Sequence, residues 1–549
     1  MKKPKTDMII CRSAKWAAVY IITWALCMAA AFYFCIRKSG FHSDEYYSYY
    51  STELTKGLNL PENGWLEHDD YYDEFIVMPG EGFRYGLVKQ IQSWDVHPPV
   101  YYWVLHTVCS LVPGTFSKWT GLGINLVFHG LSLWLLWYMT AVIGALVYKT
   151  DSALRDFVPA LVMAAWGLSP AGISEVTFIR MYAMLTAFVL LAALLHIRQM
   201  MRGQEIRLPV KQFAAPLAVL TYVGFLTHYY FAVFLFFMAV IFWIWRMAVL
   251  YRSYDRHQKG FFFGAVIQYP LIMIIPLILG YLTYPSCLGQ IFHGQRGAQA
   301  VGNFADMSNT MSRIKYFGDV MNSQAFGGLM YIWLLLMLLL FAASKIQHVQ
   351  STLSGRGRAV CIALPAAVVC YFLITSKTGL LAGAQSVRYL MPVCGMAVML
   401  TVIYLTHVSE SLGMRVSTAA VTAAFIAVDI IGLSRGDVQF LYPEDREQTA
   451  FAAENADTPV VYLYDSGAKW CVWDSSDELF EYPRVYFADI ASDRPVDDPV
   501  IDSASSLVVY IHRQEDEQPA LNRILESNKG LGGYEKQYSD TYCDVYLFK

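Results

Sequence analysis

Apolar and polar residues come in long alternating blocks along most of this chain. The first apolar block covers residues 16–36. Others follow at about 119–148, 157–174, 176–195, 213–227, 229–250, 261–284, 327–343, 359–375, 388–406 and 417–434. Runs of roughly 20 apolar residues are what a helix needs to cross about 30 Å of hydrocarbon. The pattern predicts an all-α polytopic membrane protein with about eleven spans. After residue 434 the long blocks stop. Short β-like runs at 460–464 and 507–511 then alternate with a helix-like stretch at 518–525, which reads as a small α/β domain. Two domains are therefore expected, a membrane domain over 1–434 and a soluble one over 435–549.

The polar segments between blocks give the orientation. Lys2, Lys3, Lys5, Arg12 and Lys15 precede the first block and only Arg37 and Lys38 follow it, which puts the N-terminus in the cytoplasm. The block is long enough to stay as an uncleaved anchor. Basic loops at 149–155, 198–211, 246–259 and 345–358 then fall inside, and the tail falls outside. Residues 100–112 form a further apolar run. Counting it as a span would carry every later basic loop outside, so 98–113 is expected to be an interfacial or re-entrant helix; a crossing there, with 119–148 split in two, stays open. The first extracytoplasmic loop, 38–97, is too polar to cross. Its Tyr46, Tyr47, Tyr49, Tyr50, Trp65, Tyr71, Tyr72 and Trp94 suggest amphipathic helices lying at the lipid interface.

Composition agrees and adds one asymmetry. Hydrophobic residues make up 56% of the 549, charged residues 15%, and the mean hydropathy is +0.37; soluble domains carry about 25% charged residues. Residues 435–549 hold 23 of the 44 acids but only 10 of the 41 bases, so the tail is an acidic domain. Neither part has the basic face that nucleic-acid binding needs. No internal repeat supports an inverted-repeat transporter. The ten cysteines show no metal-type spacing, and Cys471 with Cys543 is the pair in the exported tail that could form a disulfide.

Under this topology the chemistry-bearing residues gather toward the outer surface. Asp44 and Glu45 come first. Adjacent side chains diverge, so one carboxylate can face a substrate while the other takes a cation, a backbone amide or a base. A carboxylate beside an apolar bilayer can act as a general base. A solvated acidic pair is the plainer alternative. Asp95 and His97 precede Pro98 and Pro99, which fit the first turn of a helix; they could form an acid/base or metal-binding pair, or Asp95 could simply cap. Glu175, Arg180 and Tyr182 open a later span. A guanidinium there suits a phosphate, and an internal Glu175–Arg180 salt bridge is the alternative. His228 stands between two spans as a structural residue or a cation ligand. Arg296 sits in a glycine-containing segment, 292–297, where backbone amides could approach an anion. Arg388 begins another span, to hold a lipid phosphate or to snorkel to a headgroup.

An acidic pair after the first span, a His-Pro-Pro helix start (97–99), an Arg-x-Tyr at 180–182 and an Arg-Tyr-Leu-x-Pro at 388–392 together resemble bacterial GT-C glycosyltransferases. The nearest group is glycosyltransferase family 39, which includes the protein O-mannosyltransferases; the aminoarabinose transferases of lipid A are related. The resemblance covers roughly residues 15–434. It implies a multi-pass enzyme of the bacterial cell membrane that moves a sugar, with inversion, from a polyprenyl-phosphate donor to a cell-envelope glycan, lipid or protein acceptor at the outer face. By the same resemblance Asp44 would deprotonate or orient the acceptor, with Glu45 in support. Asp95 and His97 would lie near the sugar, and Arg180 and Arg388 near the lipid phosphate. Some relatives bind a divalent cation and others do not, which leaves the cofactor open and His228 as its candidate ligand. The 285–326 loop is too short for the β-trefoil of the protein O-mannosyltransferases, and the tail resembles no domain of the family. A transporter or flippase, or a polymerase of lipid-linked glycans, is the alternative reading; a transporter would carry its polar groups mid-span.

Overall fold

The computed structural model describes residues 13–53, 59–202, 205–348, 353–492, 496 and 498–549. Of the bases used for orientation, Lys2, Lys3, Lys5 and Arg12 lie outside these residues. The chain divides into two compact units, the first made of Met1–Cys35, Gln92–Tyr101 and Leu122–Gln439, the second of Ile36–Ile91, Tyr102–Gly121 and Phe440–Lys549.

The first unit is helical. Among the described residues, eight helices of the chain are long and apolar enough to cross a membrane, or up to ten if each of two bent pairs is one span. The expected run at 213–227 is a shorter apolar helix, Val210–Phe225. It opens on a π-helical turn, Val210–Ala214. The bends have local causes. Leu154–Gly167 and Pro170–Thr177 meet at 56°. Pro170 has no N–H for the ladder, and the Ser169 hydroxyl accepts from Gly172 N at 3.0 Å, starting a new helix. Thr310–Phe326 and Met330–Ile346 meet at 90°. Gly327 and Gly328 turn that corner with φ of 55° and 87°, conformations costly for any residue with a Cβ.

The second unit is built on a six-stranded mixed sheet. Its strands are β1 (Asn63–Glu67), β2 (Val460–Tyr464), β3 (Arg484–Asp489), β4 (Leu507–His512), β5 (Tyr534–Ser539) and β6 (Cys543–Phe548), in the order β1-β3-β2-β4-β6-β5. β2 runs parallel to β3 and β4; the other pairs are antiparallel. The two central β-like runs were visible in the sequence. The edge strand was not, because β1 comes from the first loop and pairs Trp65 with Tyr486. The expected 435–549 domain therefore shares its sheet with residues 63–67. Alternate side chains enter opposite faces. Val461, Leu463, Val509 and Ile511 pack with Leu521 and Ile524 of the helix Gln518–Ser527. On the other face Tyr462 stacks on Tyr510 at 5.6 Å and on Phe487 at 5.7 Å.

Aromatic residues of the first loop belong to this core. Tyr71 meets Phe480 at 5.7 Å, Phe75 meets Phe480 at 5.3 Å, and Tyr50 meets Phe75 at 5.5 Å. Tyr46, Tyr49, Tyr50 and Tyr71 are buried in protein. They are core residues and not the lipid-interface anchors the sequence suggested; burying an aromatic side chain is worth about 1.5–3 kcal/mol. Cys471 and Cys543 are buried free thiols and do not form the disulfide that the sequence left open. The helix Val100–Ser110, with 11 residues, is too short to cross a bilayer.

Candidate active site

In the second unit the acidic pair opens the helix Ser43–Thr52. His42 is its N-cap, with Nδ1 accepting from Asp44 N at 3.0 Å. Glu45 closes the capping box: its Oε2 accepts from His42 N at 2.7 Å and from Lys38 Nζ at 2.9 Å. Both side chains of the Lys38–Glu45 pair are fully buried. Lys38 also donates to the Phe440 carbonyl at 2.7 Å. The pair thus divides as expected. Glu45 takes a base and a backbone amide, while Asp44, with 41% of its side chain exposed, remains reachable.

Sequence reasoning missed the tail's share of this region. Trp473 packs on Tyr47 and Tyr50, each at 5.3 Å. Burial, with the charges of Asp540 and Asp44 added, pushes the Asp474 carboxyl up to about 8, although the Ser43 amide and Thr541 pull it back. Burial and the charge of Asp540 push Asp445 to about 8 as well. Asp445 lies so close over Gly40 that a Cβ there would overlap its carboxylate. Asp477 rises to about 7, chiefly by burial, against the hydrogen bond from Tyr46 and the charges of Lys38 and Lys118. The sequence signal for this nest was the acidic excess of the tail, which does not say where the acids go.

In the first unit the structure brings together Asp95, His97, Arg180, Tyr182 and His228. Asp95 Oδ2 lies 3.1 Å from His97 Nδ1, and Arg180 Nη2 lies 3.2 Å from the same nitrogen. Nδ1 can serve only one of them: protonated it donates to Asp95, unprotonated it accepts from Arg180. Arg180 is 3% exposed. The ring of His228 is 5.7 Å from that of His97 and 5.5 Å from that of Tyr182. Tyr182 stacks on Phe178 at 5.7 Å and meets Tyr389 edge-on at 6.3 Å. The Arg388 guanidinium lies 5.5 Å from the Phe178 ring and 5.3 Å from the Tyr389 ring, so Arg388 joins the cluster through its aromatic members.

Local contacts hold these groups. Asn125 Nδ2 donates to the carbonyls of Val176 at 3.1 Å and Phe178 at 2.6 Å, fixing the turn that delivers Arg180. Glu175 lies 3.9 Å from His129, both fully buried, which gives Glu175 a neighbour other than the Arg180 considered from the sequence. Asn125 and His129 stand one turn apart in the apolar helix Lys118–Val147, and that spacing was the readable signal. Gln290 donates to the Gln92 carbonyl at 2.9 Å and the Tyr284 hydroxyl at 2.8 Å; Tyr284 in turn reaches the His97 carbonyl at 3.4 Å.

For His228 and Arg296 the contacts favour the plainer roles. His228 Nδ1 accepts from Tyr230 N at 3.1 Å and caps the helix Tyr229–Ser253. With that nitrogen unprotonated, neutral imidazole carries its proton on Nε2, the atom a metal would need. Burial and the charges of His97 and Arg180 hold His228 well below the usual histidine range, so it is neutral. Among the described residues no group of three or more His, Cys, Asp or Glu side chains could hold a metal ion. Arg296 lies on the exposed helix Gln295–Ala305, with Gln299 at 3.5 Å. A Cβ on Gly297 would overlap the carbonyls of Gln290 and Ile291. The glycine permits a close helix turn, and the groups facing it are carbonyl oxygens, the wrong polarity for an anion.

No protein-family model matches the chain, and no curated protein matches it. Among solved structures it is similar to the crystal structure of ArnT from Cupriavidus metallidurans in the apo state, at 12% identity over 98% of this chain and 98% of that one, with a TM-score of 0.48. An identity and a score that low establish no shared function, and the site is read from its own residues.

Proposed function

We propose that the chain is an inverting GT-C-type glycosyltransferase that moves a sugar from a polyprenyl-phosphate donor to an acceptor at the outer face of the membrane. The observation that carries this reading is the buried Arg180, 3.2 Å from His97 in a cluster with Asp95, Tyr182 and His228 and with Arg388 at its aromatic edge. A phosphate leaving group gains negative charge as the sugar–oxygen bond breaks. Fixed guanidinium groups out of water stabilise that charge without reorganising. His97, poised between a carboxylate and a guanidinium, orients Arg180 and the sugar. Asp44, half-buried on a helix start that Glu45, Lys38 and His42 hold rigid, is the base for the acceptor hydroxyl. Direct attack by the acceptor on the face opposite the phosphate gives inversion.

The test is transfer by purified protein from a panel of polyprenyl-phosphate sugars. Asp44→Asn keeps size and polarity and removes the base. It is expected to lower kcat by about 100-fold or more, the usual share of general-base catalysis, with the melting temperature unchanged. Unchanged turnover would remove Asp44 from the reaction.

A further inference from the structure

A groove of about 580 Å³ runs along the outside of the first unit. Phe188 and Leu191 of the helix Tyr182–Met201 make one wall; Lys211, Ala215, Pro216, Val219, Leu220 and Val223 make the other. Among the described lining residues Lys211 alone is charged. It belongs to the π-helical turn Val210–Ala214, where the wall begins. Lys211, Ala215, Val219 and Val223 recur every fourth position and so share one face, with Pro216 and Leu220 beside them. From Lys211 to Val223 is twelve residues, about 18 Å at the helical rise. Half of a bilayer's hydrocarbon is about 15 Å. The length of the groove matches one leaflet, with a cation at one end and apolar walls along the rest. The segment around that cation carries Arg198, Arg202 and Arg207 against Glu205 alone.

We propose that this groove is a binding site for an anionic glycerophospholipid, its phosphate at Lys211 and one acyl chain against Phe188, Leu191, Ala215 and Val219. Charge complementarity selects the headgroup, since a basic residue at a membrane surface favours anionic lipid over zwitterionic lipid by about fivefold. The apolar walls fix where the chain lies. Val219 is largely exposed and Lys211 is exposed, so both are open to such a lipid. The site does not depend on the transfer reaction, and its test reads binding alone.

The test is native mass spectrometry of the full chain released from detergent, titrated with phosphatidylglycerol or phosphatidylcholine of the same acyl composition. Phosphatidylglycerol is expected to be retained about fivefold better. Lys211→Gln should erase that preference. Val219→Trp, which fills the groove from an exposed position, should lower retention of both lipids while the melting temperature stays. Equal retention of the two lipids by the unaltered chain, or an unchanged preference in Lys211→Gln, would overturn the proposal. So would displacement of phosphatidylglycerol by an equimolar polyprenyl monophosphate, which would assign the groove to the carrier lipid.

Discussion

Two adjacent carboxylates with opposite fates carry the most information at the scale of single residues. That Asp44 and Glu45 would diverge followed from backbone geometry alone. Which one turns inward depends on Lys38, seven residues earlier, and on the capping geometry of His42. Partners further off were not readable: Asp474 reaches the Ser43 amide from the far end of the chain. The buried acids of that region make a pH prediction. Asp445 and Asp474 sit at about 8 and Asp477 at about 7 in the folded protein, against about 4 when unfolded. The folded state therefore holds protons more tightly. Its stability from these groups is full below the unfolded value and falls as pH rises through about 4 to 8. The melting temperature of the purified protein is expected to drop between pH 5 and pH 8.5. Asp474→Asn keeps the acceptor for the Ser43 amide and cannot ionise, so it should flatten the drop, raising stability most at pH 8, less at pH 5 and not at all below pH 4. Parallel slopes for the two proteins would mean that Asp474 is ionised throughout.

Breaks between helices matter more to the first unit than the helices themselves. Hydropathy located the apolar runs but not their bends, because a window average weighs Pro170 or Gly327 as one residue among many. The consequence is chemical: the helix Pro170–Thr177 ends at a turn in which Asn125 donates to the carbonyls of Val176 and Phe178, the latter also accepting from Arg180 N at 2.7 Å. Arg180 follows at once. Asn125→Ala leaves the carbonyls of Val176 and Phe178 without that donor and lets the turn drift. A buried hydrogen bond is worth about 0.5–1.5 kcal/mol, so losing two should raise KM for the polyprenyl-phosphate donor by about tenfold. kcat should change less, since Asn125 contacts neither acid of the pair. A variant with altered kcat and unchanged KM would place Asn125 in the chemical step. The glycine segment at 292–297 gives the opposite lesson, for its composition suggested an anion nest and its geometry presents carbonyl oxygens.

At the scale of the whole molecule, the membrane character, the approximate set of apolar runs and the α/β nature of the tail were all legible, because each is written in local periodicity. The division into units was not, since it rests on pairing across hundreds of residues. The strand Asn63–Glu67 lacks the strong alternation that would have marked it and is recognised only through its pairing with Arg484–Asp489. Orientation rests on the basic loops, and alkaline phosphatase fused after Lys549 is expected to be active, as it is when exported; a cytoplasmic reporter active there would reverse the topology. The shared sheet leads to a sharper expectation. An independent tail could be removed without harm to the first loop. Here the loop donates an edge strand, and Tyr50, Tyr71 and Phe75 pack on Trp473 and Phe480. Deleting residues 440–549 would leave those rings and the unpaired strand in water, and would also remove the Phe440 carbonyl that Lys38 bonds. The truncated chain is expected to be cut by protease within 38–91 where the full chain resists, and to lose transfer as completely as Asp44→Asn does. A truncation that keeps both resistance and activity would make the tail an appendage and leave Asp44 held by the first loop alone.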